Sequence, residues 1–222
     1  NNLPGQKRVN GAFSLGAAQM YLAASYGVSL LNVSRNEFEF TTFTGIGVTS
    51  RGIDLIQVGD SRAYLVRNGK IYQVTKDQSL VQQLIDAQQI SPEEAETHTL
   101  KNVILQALGA QNEIFPVAAR LKPCNGDVLL LCSDGLSNKV SAAGMQRIVT
   151  ENYDTLGKAA ATLVTEANNN GGEDNITVVI AKLTGDDLPA PNGEDVQLEI
   201  LDLGNVHDTA EQDTAEILED EA

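Results

Sequence analysis

Apolar and polar positions in this 222-residue chain change their period several times. Between Arg8 and Arg35 no charged residue occurs, and Phe13, Ala17, Met20, Ala24, Val28 and Leu31 share one helical stripe. That spacing predicts a core helix over 12–32. The stretch is long enough to cross a bilayer, but Ser14, Gln19, Ser25, Ser29 and glycines at 11, 16 and 27 interrupt it, so a soluble helix is expected. Extended segments follow at 37–48 and 53–58. Segments 62–66 and 71–75 flank Arg67-Asn68-Gly69-Lys70, and Asn-Gly between alternating strands predicts a hairpin.

A polar helical section then interrupts. Residues 80–88 have helical spacing. Ser91-Pro92-Glu93-Glu94 reads as a helix start, with Ser as the cap and Pro in the first turn. Residues 100–108 suggest another short helix closed by Gly109. Strands are expected at 117–121, 128–132 and 176–183, and helices from Ser141 to about 152 and over 156–168. Strands first and helices later, without βαβ alternation, predict an α+β fold of antiparallel sheets covered by helices.

Charge divides the chain. Its formal net charge is −15, yet residues 185–222 hold 13 acidic residues and no Lys or Arg, while 1–184 are close to neutral. The organisation expected is one domain over 1–184 and an acidic, disordered tail over 185–222, because aromatic-free acidic sequence buries too little surface to offset its ordering entropy. Within that tail, 196–203 is apolar enough to dock as an extra strand. Asp208-Thr209-Ala210-Glu211 recurs as Asp213-Thr214-Ala215-Glu216. No basic concentration suggests nucleic acid. Cys124 and Cys132 form neither a disulfide framework nor a zinc motif, which fits a reducing cytoplasm. No signal peptide or membrane span is expected.

Three acids lie beside strands among turn-forming residues: Asp134 after the apolar run 128–132, Asp174 before the last strand, and Asp77 after the hairpin. A carboxylate at a strand end is held rigidly. If the two strands are neighbours, Asp134 and Asp174 meet, and two such charges repel unless a cation lies between them. Oxygen ligands without His or Cys select Mg²⁺ or Mn²⁺. Read by spacing alone, both are equally turn residues, since Asp-Gly and Asp-Asn form turns.

The segments 58–65, 75–80, 90–98, 102–109, 133–136 and 173–177, taken together and in this order, resemble the type 2C (PPM) family of metal-dependent serine/threonine phosphatases. Val58-Gly59-Asp60-Ser61-Arg62-Ala63-Tyr64-Leu65 looks like the family's strand turn. Thr75-Lys76-Asp77-Gln78-Ser79-Leu80 is similar to its T-x-D-H-S-L, with Gln78 in place of His. Residues 90–98, ending in His98, resemble its helical flap, and 102–109 follow in order. Ser133-Asp134-Gly135-Leu136 and Glu173-Asp174-Asn175-Ile176-Thr177 match its late metal motifs. Thr41-Thr42-Phe43-Thr44 sits at its Gly-Thr-Thr strand start, with Phe40 replacing the Gly.

The resemblance implies an antiparallel β-sandwich flanked by helices, with a two-metal centre at one end. It implies Asp134 and Asp174 as metal ligands, Asp77 at a weaker third metal, and Asp60 and Arg62 as a structural pair. Two Mn²⁺ or Mg²⁺ ions, with a weaker third, would activate a water for attack on a phosphate monoester. His98 is expected to be structural. The family's first metal motif, Asp-Gly-x-Gly-Gly, does not occur here, and the first Asp in the chain is Asp54. An N-terminally incomplete domain is therefore expected, with low activity as it stands. The expected partner is a phosphoprotein whose phosphorylation a Ser/Thr kinase supplies, and the expected state is a monomer. The alternative is an inactive relative that binds or regulates.

Overall fold

The computed structural model describes residues 13–15, 18–23, 41–49, 51–110, 113–193 and 196–203. In chain order the strands are β1 (Phe13–Leu15), β2 (Ala18–Ala23), β3 (Phe43–Thr49), β4 (Gly52–Val58), β5 (Arg62–Arg67) and β6 (Lys70–Gln73), followed by α1 (Leu80–Asp86) and α2 (Pro92–Thr97). Next come β7 (Val117–Leu121), β8 (Val128–Cys132), α3 (Asp134–Ser137), α4 (Ala142–Glu151), α5 (Leu156–Asn169), β9 (Val178–Lys182) and β10 (Leu198–Leu201). Two antiparallel sheets result, ordered β1-β2-β3-β4-β7-β10 and β6-β5-β8-β9. The α+β sandwich expected from the pattern is therefore present.

Local chemistry sets many of these elements. Asn68 and Gly69 both take positive φ (51° and 73°), which lets β5 turn tightly into β6. Ser91 accepts from the Glu94 amide while Glu94 accepts from the Ser91 amide, a complete capping box for α2. Burial on two sides explains the unbroken apolar run of β8. Leu129 and Leu131 face the other sheet with Ala63 and Leu65, meeting Ile53, Leu55 and Leu121. Val128, Leu130 and Cys132 face the helices with Tyr64, meeting Met145, Ile148 and Leu163. Both cysteines are free and buried.

Three expectations fail. Within 12–32, residues 13–15 and 18–23 are strands, because β2 pairs with β3 from Met20↔Gly47 to Ala23↔Thr44 and satisfies that edge; the rest of that stretch lies outside the described residues. Residues 100–108 are not helical. Leu80 N donates to Val103 O and Leu105 N to Gln78 O, so this segment clasps the loop before α1 instead. The disordered tail expected from 185 also fails at its start, where 196–203 docks as the extra strand its apolar pattern allowed: Asn125 N donates to Pro189 O, Val196 packs on the inter-sheet core, and β10 pairs with β7 from Leu198↔Leu121 to Leu201↔Ala118, while 204–222 lie outside the described residues. The β7 edge and the apolar alternation of β10 outweigh the surrounding charge. Among the described residues, no helix is long and apolar enough to cross a membrane.

Candidate active site

One end of the sandwich gathers the turn after β4, the end of β8 and the approach to β9. The β4–β5 turn is rigid. Gly59 has φ 104°, and a Cβ there would collide with the Thr42 side chain. The hydroxyls of Thr42 and Ser61 are hydrogen bonded at 2.9 Å, and Thr44 Oγ1 donates to Ser61 O at 2.8 Å. Gln57 Nε2 donates to the carbonyls of Gly59 and Ser61. Gln78, where the family uses His, accepts from Gly59 N at 2.7 Å and donates to Phe115 O. These bonds fix Gly59 and Ser61, the residues on either side of Asp60.

The second and third turns are tied to each other. Ser133 Oγ donates to Asn175 O at 2.8 Å and accepts from Thr177 N at 3.0 Å. A Cβ on Gly135 would collide with the Asn175 carbonyl, so the chain after Asp134 lies directly against the chain after Asp174. Asn175 N donates to Asp174 Oδ1 at 2.6 Å, which orients that carboxylate. The structure thus brings Asp134 and Asp174 to the same end.

Electrostatics add a third member. Burial raises the Asp134 pKa, and the charge of Asp174 raises it further. Asp60 is pushed up to about 6, first by burial, then by Asp134 and Asp77. Arg62 offsets this only in small part. Its guanidinium is committed elsewhere: Nε donates to both Asp77 oxygens at 2.9 and 3.0 Å, and Nη2 donates to Oδ2 at 2.6 Å. The expected Asp60–Arg62 pair is therefore corrected to an Arg62–Asp77 pair. Geometry favours this pairing because Arg62, starting β5, reaches the loop after β6, where a planar fork meets a carboxylate side-on. Asp77 also accepts from Gln73 Nε2 at 3.3 Å. Its side chain is 10% exposed and serves as the anchor of this ion pair.

Sequence reasoning passed over Asp60 as a cluster member, although it too follows a buried strand, as Asp134 does. His98 lies apart as the α2 C-cap, where Nδ1 accepts from Leu100 N.

Burial and neighbouring negative charge raise the proton affinity of Asp60 and Asp134, and an all-oxygen donor set of this kind suits a hard divalent cation. Among the described residues, however, no three His, Cys, Asp or Glu side chains converge as a finished cation cage. The chemistry fits, and the cage needs further ligands.

No protein-family model matches the chain. It is 41% identical over 152 residues to protein phosphatase PhpP of Streptococcus pneumoniae, covering 65% of this chain and 61% of that protein. The PPM Ser-Thr phosphatase MsPP from Mycobacterium smegmatis, solved in complex with cacodylate, superposes with a TM-score of 0.63 at 31% identity, covering 70% of this chain and 67% of that one. The catalytic domain of the phosphatase PstP, solved in complex with two manganese ions, superposes with a TM-score of 0.56 at 37% identity, covering 66% and 60%. The chain thus spans about three fifths of the length of the curated relative PhpP.

Proposed function

This chain belongs to the PPM family of serine/threonine protein phosphatases, and on that premise we propose that it supplies most of a site that hydrolyses phosphoserine and phosphothreonine in proteins. The observation that carries this reading is that the turns bearing Asp134 and Asp174 are clasped against each other at one end of the sandwich, with Asp60 within reach of the Asp134 charge. Asp134 and Asp174 would hold Mn²⁺ or Mg²⁺, and Asp60 would face a further ion beside Asp134. When bound, such ions neutralise phosphate oxygens and acidify a water for in-line attack. The Ser133–Asn175 clasp fixes the spacing of the two carboxylates. Asp77, near enough to raise the Asp60 pKa, would help hold a weaker third ion while still anchoring Arg62. The substrate is a phosphoprotein of the cytoplasm, phosphorylated by a Ser/Thr kinase, and the enzyme acts as a monomer in signalling.

The absence of a finished cage among the described residues favours a second reading, an inactive PPM-fold binding or regulatory protein. One experiment separates the two. The chain is fused to an N-terminal segment carrying Asp-Gly-x-Gly-Gly, and Mn²⁺ affinity is measured by calorimetry alongside phosphate release from a phosphothreonine peptide. Tight Mn²⁺ binding with turnover, both lost in Asp134→Asn and Asp174→Asn, supports the phosphatase. The unfused 222-residue chain is expected to bind Mn²⁺ weakly and turn over poorly, because a hard ion needs enough anionic oxygens to offset its dehydration. Failure of the fused chain to bind Mn²⁺ leaves the binding-protein reading.

A further inference from the structure

Strand β10 is the outermost strand of its sheet among the described residues, so its far edge offers backbone groups to a further strand. The register shows what such a strand must carry. On the outer face Asp54, Arg120 and Glu199 stand side by side across β4, β7 and β10. Arg120 Nε donates to Asp54 Oδ1 at 2.5 Å, and Glu199 approaches the same guanidinium closely enough to hold its proton more firmly. The row thus alternates negative, positive, negative, and the next position calls for a cation. On the inner face the rows are apolar: Leu55, Ala119 and Ile200, and beside them Ile53, Leu121 and Leu198.

These inner positions are not fully covered. Ile200 is 70% exposed and Leu198 37%. With Leu55, Val117 and Ala119 they roof a cavity of about 260 Å³. Its floor is the 73–76 segment, where Gln73 reaches Asp77 of the Arg62 ion pair.

Direction ties this edge to the site. Both β4 and β10 run antiparallel to β7, so they run the same way, and Leu201 is level with Ile56 across Ala118. Strand β10 therefore points toward the end where β4 gives way to Gly59-Asp60, about two strand spacings, or about 10 Å, to the side.

We propose that substrate phosphoproteins dock by adding an extended apolar–basic–apolar segment as a seventh strand on β10, its apolar residues capping the cavity beside Leu198 and Ile200 and its cation facing Glu199. Main-chain bonds supply affinity in this mode and alternate side chains supply selectivity. The inference rests on the phosphatase reading. A second copy of the chain is a poor occupant, because β10 paired with itself brings Glu199 toward Glu199 in a chain of net charge −15. The chain's own C-terminal region is no better, since 185–222 contain no Lys or Arg.

The test uses the full 222-residue chain and fluorescein-labelled peptides without phosphate, reading Val-Lys-Ile-Lys-Val or Val-Glu-Ile-Glu-Val, followed by anisotropy. The basic peptide is expected to bind about fivefold tighter than the acidic one, the size of one good cross-strand charge pair. Ile200→Asp should weaken both, and Glu199→Lys should reverse the preference. Equal binding of the two peptides, or no reversal in Glu199→Lys, overturns the proposal even if the variants remain folded. A second arm uses the fused chain and a phosphothreonine peptide with or without the basic strand. A lower KM at unchanged kcat is expected from the strand. Hydrolysis with identical KM sinks the docking edge and leaves the phosphatase. Strand binding without phosphate release in this arm leaves the edge and sinks the phosphatase.

Discussion

The two ends of the sandwich treat buried carboxylates in opposite ways. At the end where β5 stops and β8 starts, Asp127 is fully buried and fully answered: Arg67 Nε and Nη2 donate to its two oxygens at 2.8 and 2.6 Å, and Cys124 N donates at 2.7 Å. Arg67 also closes on Lys122 O. At the other end Asp60 meets the charge of Asp134, Asp134 meets that of Asp174, and the nearby Arg62 guanidinium is spent on Asp77. The same four strands thus carry a satisfied charge at one end and an unsatisfied cluster at the other. The first is what a fold needs. The second costs stability and persists where a ligand can relieve it.

The contrast breaks most severely at Asp127. Asp127→Ala leaves Arg67, only 11% exposed, without its counterion. Removing one partner of a buried pair costs about 3–5 kcal/mol. Urea unfolding should show that loss with Mn²⁺ affinity of the remaining folded protein unchanged. A loss below about 1 kcal/mol would mean that this end is no better satisfied than the other.

A smaller effect is expected at Gly135, where a methyl would press on the Asn175 carbonyl. Gly135→Ala should cost about 1–3 kcal/mol, the usual range for overpacking. It should also move Asp134 away from Asp174, so the fused chain should lose Mn²⁺ affinity by more than its melting temperature drops. Unchanged affinity would show that the Ser133–Asn175 clasp is not what spaces the carboxylates.

Local signals were the legible part of this chain. Asn68-Gly69 names its hairpin because few other pairs accept two positive φ values, and Ser91-Pro92-Glu93-Glu94 writes its own cap. The run 128–132 announces burial on both sides. Asp134 and Asp174 could be placed together because each abuts a strand of the same sheet. What failed depended on distant partners. Residues 18–23 fit a helical stripe, yet β3 holds them as a strand through pairing some 25 residues away along the chain. Residues 198–201 sit in acid-rich sequence, yet β7 recruits them. Arg62 was paired with its sequence neighbour Asp60, while the fork it makes with Asp77 needs β5 and β6 to be folded first.

A modest effect, opposite in sign, is expected for Asp60→Asn in metal-free protein. The Asp60 carboxyl rises from 3.8 to about 6 on folding. Below pH 3.8 both folded and unfolded chains are protonated there, and the stabilisation is complete. As pH rises toward 6, the unfolded chain releases its proton first, so folding stability falls across that window and stays low at neutral pH. Asp60→Asn removes that fall. Thermal melts in EDTA from pH 4 to 7.5 should show the parent losing ground relative to the variant between pH 4 and 6. Added Mn²⁺ at pH 7 should raise the parent more than the variant. Parallel curves at all pH values would place Asp60 outside the unsatisfied cluster.

The smallest effect is expected at a residue belonging to neither end. His98 closes α2 and accepts one backbone hydrogen bond from Leu100 N at 3.1 Å. His98→Ala removes a single cap interaction on a partly exposed turn, so its cost should stay below about 1 kcal/mol. In the fused chain kcat should stay within about twofold of the parent, since a proton donor at the reacting centre would contribute a hundredfold or more. Its pH–rate profile should also keep the parent's shape. A kcat drop of about 100-fold with a lost alkaline limb would mean that the flap swings His98 to the carboxylate end during turnover. The comparison would then have to be drawn between three regions of the molecule, with α2 as a mobile part of the site.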